Sequence, residues 1–243
     1  MTSSPAPLTS ISLQVEESLE LGAVLFDMDG TVADSEPLWF EAEAAYIVAH
    51  GAEWNATLSH SLVGKPLSVT TSTLAEHTGS GDSHEEVGTF LIDYMVEATL
   101  SQEPRLRPGI MELVEEVREA GIPRALVTSS HRSIAEAFLT RLPEGSFDVV
   151  VTSQDTSLHK PHPDPYLLAM ELLGVEAKQC LVIEDSPSGV GAGIEAGARV
   201  IAIPCMVDIE VREGLSRVSS AEELTLLVLR SIAAGTPVDT LAS

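Results

Sequence analysis

Basic residues are scarce in this chain: 13 Lys and Arg stand against 37 Asp and Glu in 243 residues, a formal charge of -24. A surface this acidic repels phosphodiester backbones and anionic lipid headgroups, so neither nucleic acid nor a membrane is an expected partner. An anionic ligand needs a few basic groups, or a metal, to reverse that field locally. Cysteine is almost missing. Cys180 and Cys205 both border apolar runs, where buried free thiols are the default. Two such residues argue against a disulfide framework, and their spacing is not that of a metal site. No apolar run approaches the ~18 residues of a membrane helix. The start, MTSSPAPLTS, lacks the basic residues and apolar stretch of a secretory signal, so a cytoplasmic location is expected.

Apolar residues, by contrast, make up 44% of the chain, enough to bury the core of one large domain or of a core plus a smaller one. Residues 1–20 are rich in Ser, Pro and Thr, then acidic, and read as a loosely ordered tail. AVLFD (23–27) is a short apolar run without alternation, as expected of a strand buried on both faces. RALVT (124–128), DVVVT (148–152), CLVIED (180–185) and RVIAI (199–203) repeat the pattern. Helical periodicity fills the intervals at 108–121, 133–142, 165–174 and 188–198. In the last of these, many Gly and Ala residues suit close packing on a sheet. This alternation predicts an α/β fold, a Rossmann-like doubly wound parallel sheet. Residues 35–103 contain no convincing strand and three helical patterns. They predict an α-helical insertion directly after strand one, with residues 21–34 and 104–243 forming the sheet-bearing core.

Ligands of an open parallel sheet bind beyond the carboxyl ends of its strands. Here those ends carry Asp27 with Asp29 two residues on, Thr128 followed by Ser129, and Glu184 with Asp185; Lys160 lies in the loop after strand three. Singly, each has an ordinary explanation: a lone Asp after a strand is most often a turn or cap residue, and a lone Lys is usually solvated. Jointly they make an anionic pocket that is stable only around a cation. Carboxylate oxygens with no His or Cys nearby suit Mg2+. Asp27, Asp29, Thr128, Lys160 and Asp185 then compose one phosphoryl-transfer site. One carboxylate attacks phosphorus, and the second protonates the leaving oxygen and later deprotonates water.

With DMDGT, LVTSS, HKPHPDPY and IEDSPSG in this order at the ends of expected elements, the sequence resembles the haloacid dehalogenase-like hydrolase superfamily over about residues 22–215. The resemblance implies Asp27 as nucleophile and Mg2+ ligand, and Asp29 as acid/base giving its backbone carbonyl to the metal. It implies Thr128 and Lys160 as phosphoryl-binding groups, with Lys160 also restraining Asp27. Asp185 is implied as a direct metal ligand, and Glu184 as a ligand or a partner of one. Gly30 and Thr31 belong to the loop leading towards the insertion, which resembles the helical cap of β-phosphoglucomutase and phosphoglycolate phosphatase-like enzymes. Ser129, Lys65 in LVGKP and His131 are further candidates for the substrate, with solvated surface as the alternative for Lys65 and His131. Trp39, His159 and His162 are read as cap packing and loop surface.

Asp29 argues against dehalogenation, because the superfamily's dehalogenases lack that second acid. A mutase of this type is expected to carry His where Trp39 stands, which favours hydrolysis of a small phosphorylated metabolite such as a sugar phosphate. A phosphoglucomutase-like activity is the alternative within the family, and a phosphoacceptor regulatory domain is the alternative outside it. The sequence sets no oligomeric state; a monomer is compatible with it.

Overall fold

Five of the parallel strands in the computed structural model coincide with the apolar runs: β1 (Ala23–Phe26), β2 (Arg124–Val127), β3 (Val149–Val151), β4 (Cys180–Glu184) and β5 (Arg199–Ala202). A sixth, β6 (Ser216–Arg217), was not expected. The structure describes residues 20–241, so the expected tail falls outside it except for Glu20. Strand order is β3-β2-β1-β4-β5-β6, every pairing parallel. The order reverses between β1 and β4, and the crevice at such a reversal is where an open sheet binds ligands.

The continuous apolar character of β1, β2 and β4 has a direct cause, because each is buried along its whole length. Side chains alternate across the sheet. Val24, Phe26, Leu126, Leu181, Ile183 and Ile201 pack on one face with α5 (Ile110–Glu119), α6 (Arg132–Leu139) and α9 (Leu226–Ala233). Ala23, Leu25, Ala125, Val127, Val182, Val200 and Ala202 pack on the other with α7 (Asp164–Leu173) and α8 (Pro187–Glu195). That second face carries smaller residues and admits helices closely. A Cβ at Gly193 of α8 would stand 2.9 Å from a Val200 methyl and 3.1 Å from one of Val182, which accounts for the Gly- and Ala-rich helix.

Four helices lie between β1 and α5: α1 (Glu36–Ala49), α2 (Ala56–Leu62), α3 (Leu67–Thr78) and α4 (His84–Ser101). They form the inserted cap. Its interior holds Tyr46, Ile47, Leu74, Val87, Leu91 and Met95, all buried. Ser83 and Glu86 make a reciprocal capping box at the start of α4. The Tyr46 hydroxyl reaches Asp82 at 2.8 Å and Ser80 at 2.9 Å, tying α1 to the α3–α4 turn. Where the chain crosses between core and cap, the two crossings bond to each other. Asp34 N donates to Arg105 O at 2.9 Å and Arg107 N to Val32 O at 3.0 Å.

Candidate active site

At the β1–β4 reversal the chain carries Asp27 just past one strand and Glu184 and Asp185 at the end of the other. One oxygen of each lies within 4.8 Å of the other two. Lys160 arrives from the loop between β3 and α7, with its side chain 4% exposed. Its Nζ donates to Asp27 Oδ1 at 2.6 Å, to Glu184 Oε1 at 2.7 Å and to the Val127 carbonyl at 2.9 Å. An ammonium has three N–H donors, so Lys160 is fully engaged. Glu184 is equally committed. Its Oε1 also accepts from Tyr166 Oη at 2.8 Å, and its Oε2 accepts from Asp185 N, Ser186 N and Ser186 Oγ at 3.1 to 3.3 Å. Glu184 thus anchors the lysine, while Asp27 and Asp185 face each other.

Asp27 is divided between two environments. Oδ1 is bound to Lys160, and Oδ2 is buried with no hydrogen-bond partner among the described residues. Burial, then the Glu184 carboxylate, push the Asp27 carboxyl up to about 8 against the opposing pull of Lys160. Asp185 is pushed up to about 9, by burial first and then by Asp27 and Glu184. Lys160 stands well above the usual lysine range; burial lowers it, but Asp27 and Glu184 prevail. Crowded carboxyls pushed upward by burial and by one another, one with an orphaned oxygen, mark a site short of positive charge. The donors are hard oxygens, as Mg2+ prefers, so Asp27 and Asp185 fit that ion. Gly30 keeps the space clear. It sits at φ +85°, and a Cβ there would fall 2.1 Å from Asp185 Oδ2.

Asp29 is held from three sides. Ser35 Oγ donates to Oδ1 at 2.7 Å; Ser130 Oγ and Thr128 Oγ1 donate to Oδ2 at 2.7 and 3.2 Å. Thr128 itself accepts from Ser130 N at 2.9 Å. The other candidates lie differently. Ser129 is exposed while its neighbour Ser130 is buried. His131 caps α6, its Nδ1 accepting from Ser133 N. Lys65 is exposed in the α2–α3 loop. Neither His131 nor Lys65 shares a hydrogen bond or ion pair with the acid cluster among the described residues. Sequence reasoning missed Tyr166, Ser35, Ser130 and Glu36. Glu36 opens α1 beside Ser35 and is pushed up to about 7 by burial, then by Asp29, Glu43 and Asp34. The run of hydroxyls in TSS signalled Ser130, and the polar ADSE signalled Ser35 and Glu36; nothing local signalled Tyr166.

Residues 24–203 match the family model described as haloacid dehalogenase-like hydrolase. Among curated proteins, hexitol phosphatase A of Escherichia coli is 35% identical over 187 residues, 76% of this chain and 83% of that protein. The phosphorylated carbohydrates phosphatase of Thermotoga maritima is 35% identical over 176 residues, 72% of this chain and 81% of that one. Among solved structures, CbbY of Rhodobacter sphaeroides in complex with phosphate superposes with a TM-score of 0.76 at 28% identity, covering 85% of this chain and 98% of its own. The same protein, as a variant bound to xylulose-(1,5)bisphosphate, gives 0.75 at 27%, covering 84% and 96%.

Proposed function

Because the chain belongs to the haloacid dehalogenase-like hydrolase family, we propose that it is a Mg2+-dependent phosphatase that hydrolyses a small organic phosphate monoester through an aspartyl phosphate. One observation carries the reading. Asp27 has one oxygen tied to Lys160 at 2.6 Å and the other buried and free, with a second acid two residues on held by hydroxyls. A carboxylate fixed by one oxygen presents the other as a nucleophile in a set direction.

Asp27 Oδ2 attacks phosphorus, and the bond from phosphorus to the leaving oxygen breaks. Asp29 gives its proton to that oxygen, then takes one from the water that attacks the aspartyl phosphate and regenerates Asp27. Ser35, Ser130 and Thr128 set the direction in which the Asp29 carboxyl points between those transfers. Lys160, anchored by Glu184 and Tyr166, keeps Asp27 from turning away. Asp27, Asp185 and the Asp29 carbonyl would hold Mg2+, which supplies positive charge against the phosphoryl oxygens. The named relatives act on phosphorylated carbohydrates, which supports a substrate of that size. Trp39, half-buried against the apolar interior, offers no imidazole to relay a proton to a second sugar hydroxyl, which favours water over mutase transfer.

The test is phosphate release from p-nitrophenyl phosphate and a panel of sugar phosphates with Mg2+, expected to stop on chelation and resume on adding Mg2+. A stable phospho-aspartate after treatment with acetyl phosphate, with no release from any ester, would overturn it in favour of a phosphoacceptor domain.

A further inference from the structure

The cap carries charge of almost one sign. Residues 35–103 contain eleven Asp and Glu, a single lysine and no arginine. Most of these acids are solvated, but Glu43 is not. It lies on α1 at 4% exposure, and its Oε2 has no hydrogen-bond partner among the described residues. The Ser59 hydroxyl of α2 is a polar neighbour of this carboxyl and also accepts from Trp54 Nε1 at 3.1 Å. A buried carboxyl with an unfilled oxygen is costly and needs a reason for being there. Replacing it by an apolar side chain would relieve the cost, yet it stands as the one buried charged-type residue of the cap among the described residues.

Its register supplies the reason. Glu43 is seven residues, close to two turns, beyond Glu36, so the two lie on one stripe of α1 about 10 Å apart along its axis. Glu36 is the first residue of that helix, directly after Ser35, whose hydroxyl holds the Asp29 carboxyl at 2.7 Å. The stripe therefore begins one residue beyond the serine that holds the Asp29 carboxyl and continues into the cap. Phe40, between the two acids, meets the His60 ring of α2 at 5.2 Å and closes one side.

We propose that Glu36 and Glu43 are specificity-determining residues that receive the leaving group, and that they select an uncharged, hydroxyl-rich one: the substrate is a monophosphate of a neutral polyol or sugar, without a second phosphate or a carboxylate. This rests on the phosphatase reading of the Asp27 site. Carboxylate oxygens only accept hydrogen bonds, and hydroxyl groups are the donors that satisfy them without adding charge. A second phosphate brings acceptors and like charge to the same place, and the cap holds no arginine and only the exposed Lys65 to offset it.

The experiment compares kcat/KM for sorbitol 6-phosphate, fructose 1,6-bisphosphate and phosphoglycolate, with Mg2+ and with p-nitrophenyl phosphate as a generic ester. The expected order places sorbitol 6-phosphate at least about tenfold above both anionic competitors, which corresponds to about 1.4 kcal/mol. Glu43→Gln keeps the shape and removes the charge; in it, and in Glu36→Gln, that ratio falls several-fold, chiefly through KM. A wild-type enzyme that prefers either anionic competitor, or a ratio that neither variant moves, overturns the proposal. If the wild type releases no phosphate even from p-nitrophenyl phosphate, the phosphatase reading has failed on its own. Calorimetric binding of the same three compounds then decides the selectivity. Tighter binding of sorbitol 6-phosphate upholds it, and equal or weaker binding overturns it.

Discussion

Asp27 and Glu184 close on Lys160 at 2.6 and 2.7 Å at the edge of the sheet, whereas in the cap eleven acids share one exposed lysine. The sheet edge answers charge with counter-charge and with the ends of strands that cannot move independently. The cap answers it mainly with water, and at Glu43 leaves a buried oxygen unanswered. A rigid edge suits chemistry that is the same for every phosphate ester. An incomplete cap suits a part completed by whatever ester arrives. On the proposed reading, rate belongs to the one region and choice to the other.

Experiments can strain that division, beginning at the edge. Asp27→Asn keeps size and removes the nucleophile; turnover should fall by at least about 1,000-fold, with the circular dichroism of the fold unchanged. A variant turning over near the wild-type rate would move the nucleophile elsewhere. Lys160→Met strands Asp27 and Glu184 as buried acids without a cation, and chemical denaturation should show a loss of about 3–5 kcal/mol. Glu184→Gln in the same background should recover part of it. Mg2+ should stabilise the wild type by about 2.7 kcal/mol at a hundredfold excess over its dissociation constant, read as a higher melting temperature. Asp185→Asn should shrink that gain, and cap substitutions should leave it in place.

The smallest effect belongs to the cap. Folding holds the Glu36 proton up to about 7, above the ordinary 4.5. Between those two values the folded chain binds more protons than the unfolded one, so the Glu36 contribution to stability declines as pH rises through that window and is level above it. With Mg2+ saturating, Glu36→Gln should flatten the decline in melting temperature from pH 5 to pH 7. An identical slope in both proteins would place the Glu36 shift in doubt.

What sequence could reveal followed its physical signals. Strands buried on both faces leave unbroken apolar runs, and so β1, β2, β4 and β5 were legible, β1 and β4 together with their terminal acids. β6 has no such run, being two residues, Ser216 and Arg217. Its arginine is buried through bonds to Asp239 and the Ile209 carbonyl, partners that no local pattern displays. α2, with the sequence ATLSHSL, is short and largely polar, and it escaped for the same reason. In TSS the three hydroxyls are equivalent as letters. Only the turn after β2 decides that Ser129 points to solvent and Ser130 to Asp29. Tyr166 reads as one more aromatic of α7 until the fold sets its hydroxyl 2.8 Å from Glu184.

The bonds between the two core–cap crossings, Asp34 to Arg105 and Arg107 to Val32, have a mechanical meaning. Two loose tethers would let the helical unit slide, twist and tilt over the sheet. Two tethers clasped to each other behave as a single pin, and swinging about that pin is the freedom left. On the proposed reading of α1, a helical unit that swings about such a pin would present its stripe to Asp29 at one fixed bearing, a ruler against which the leaving group is measured.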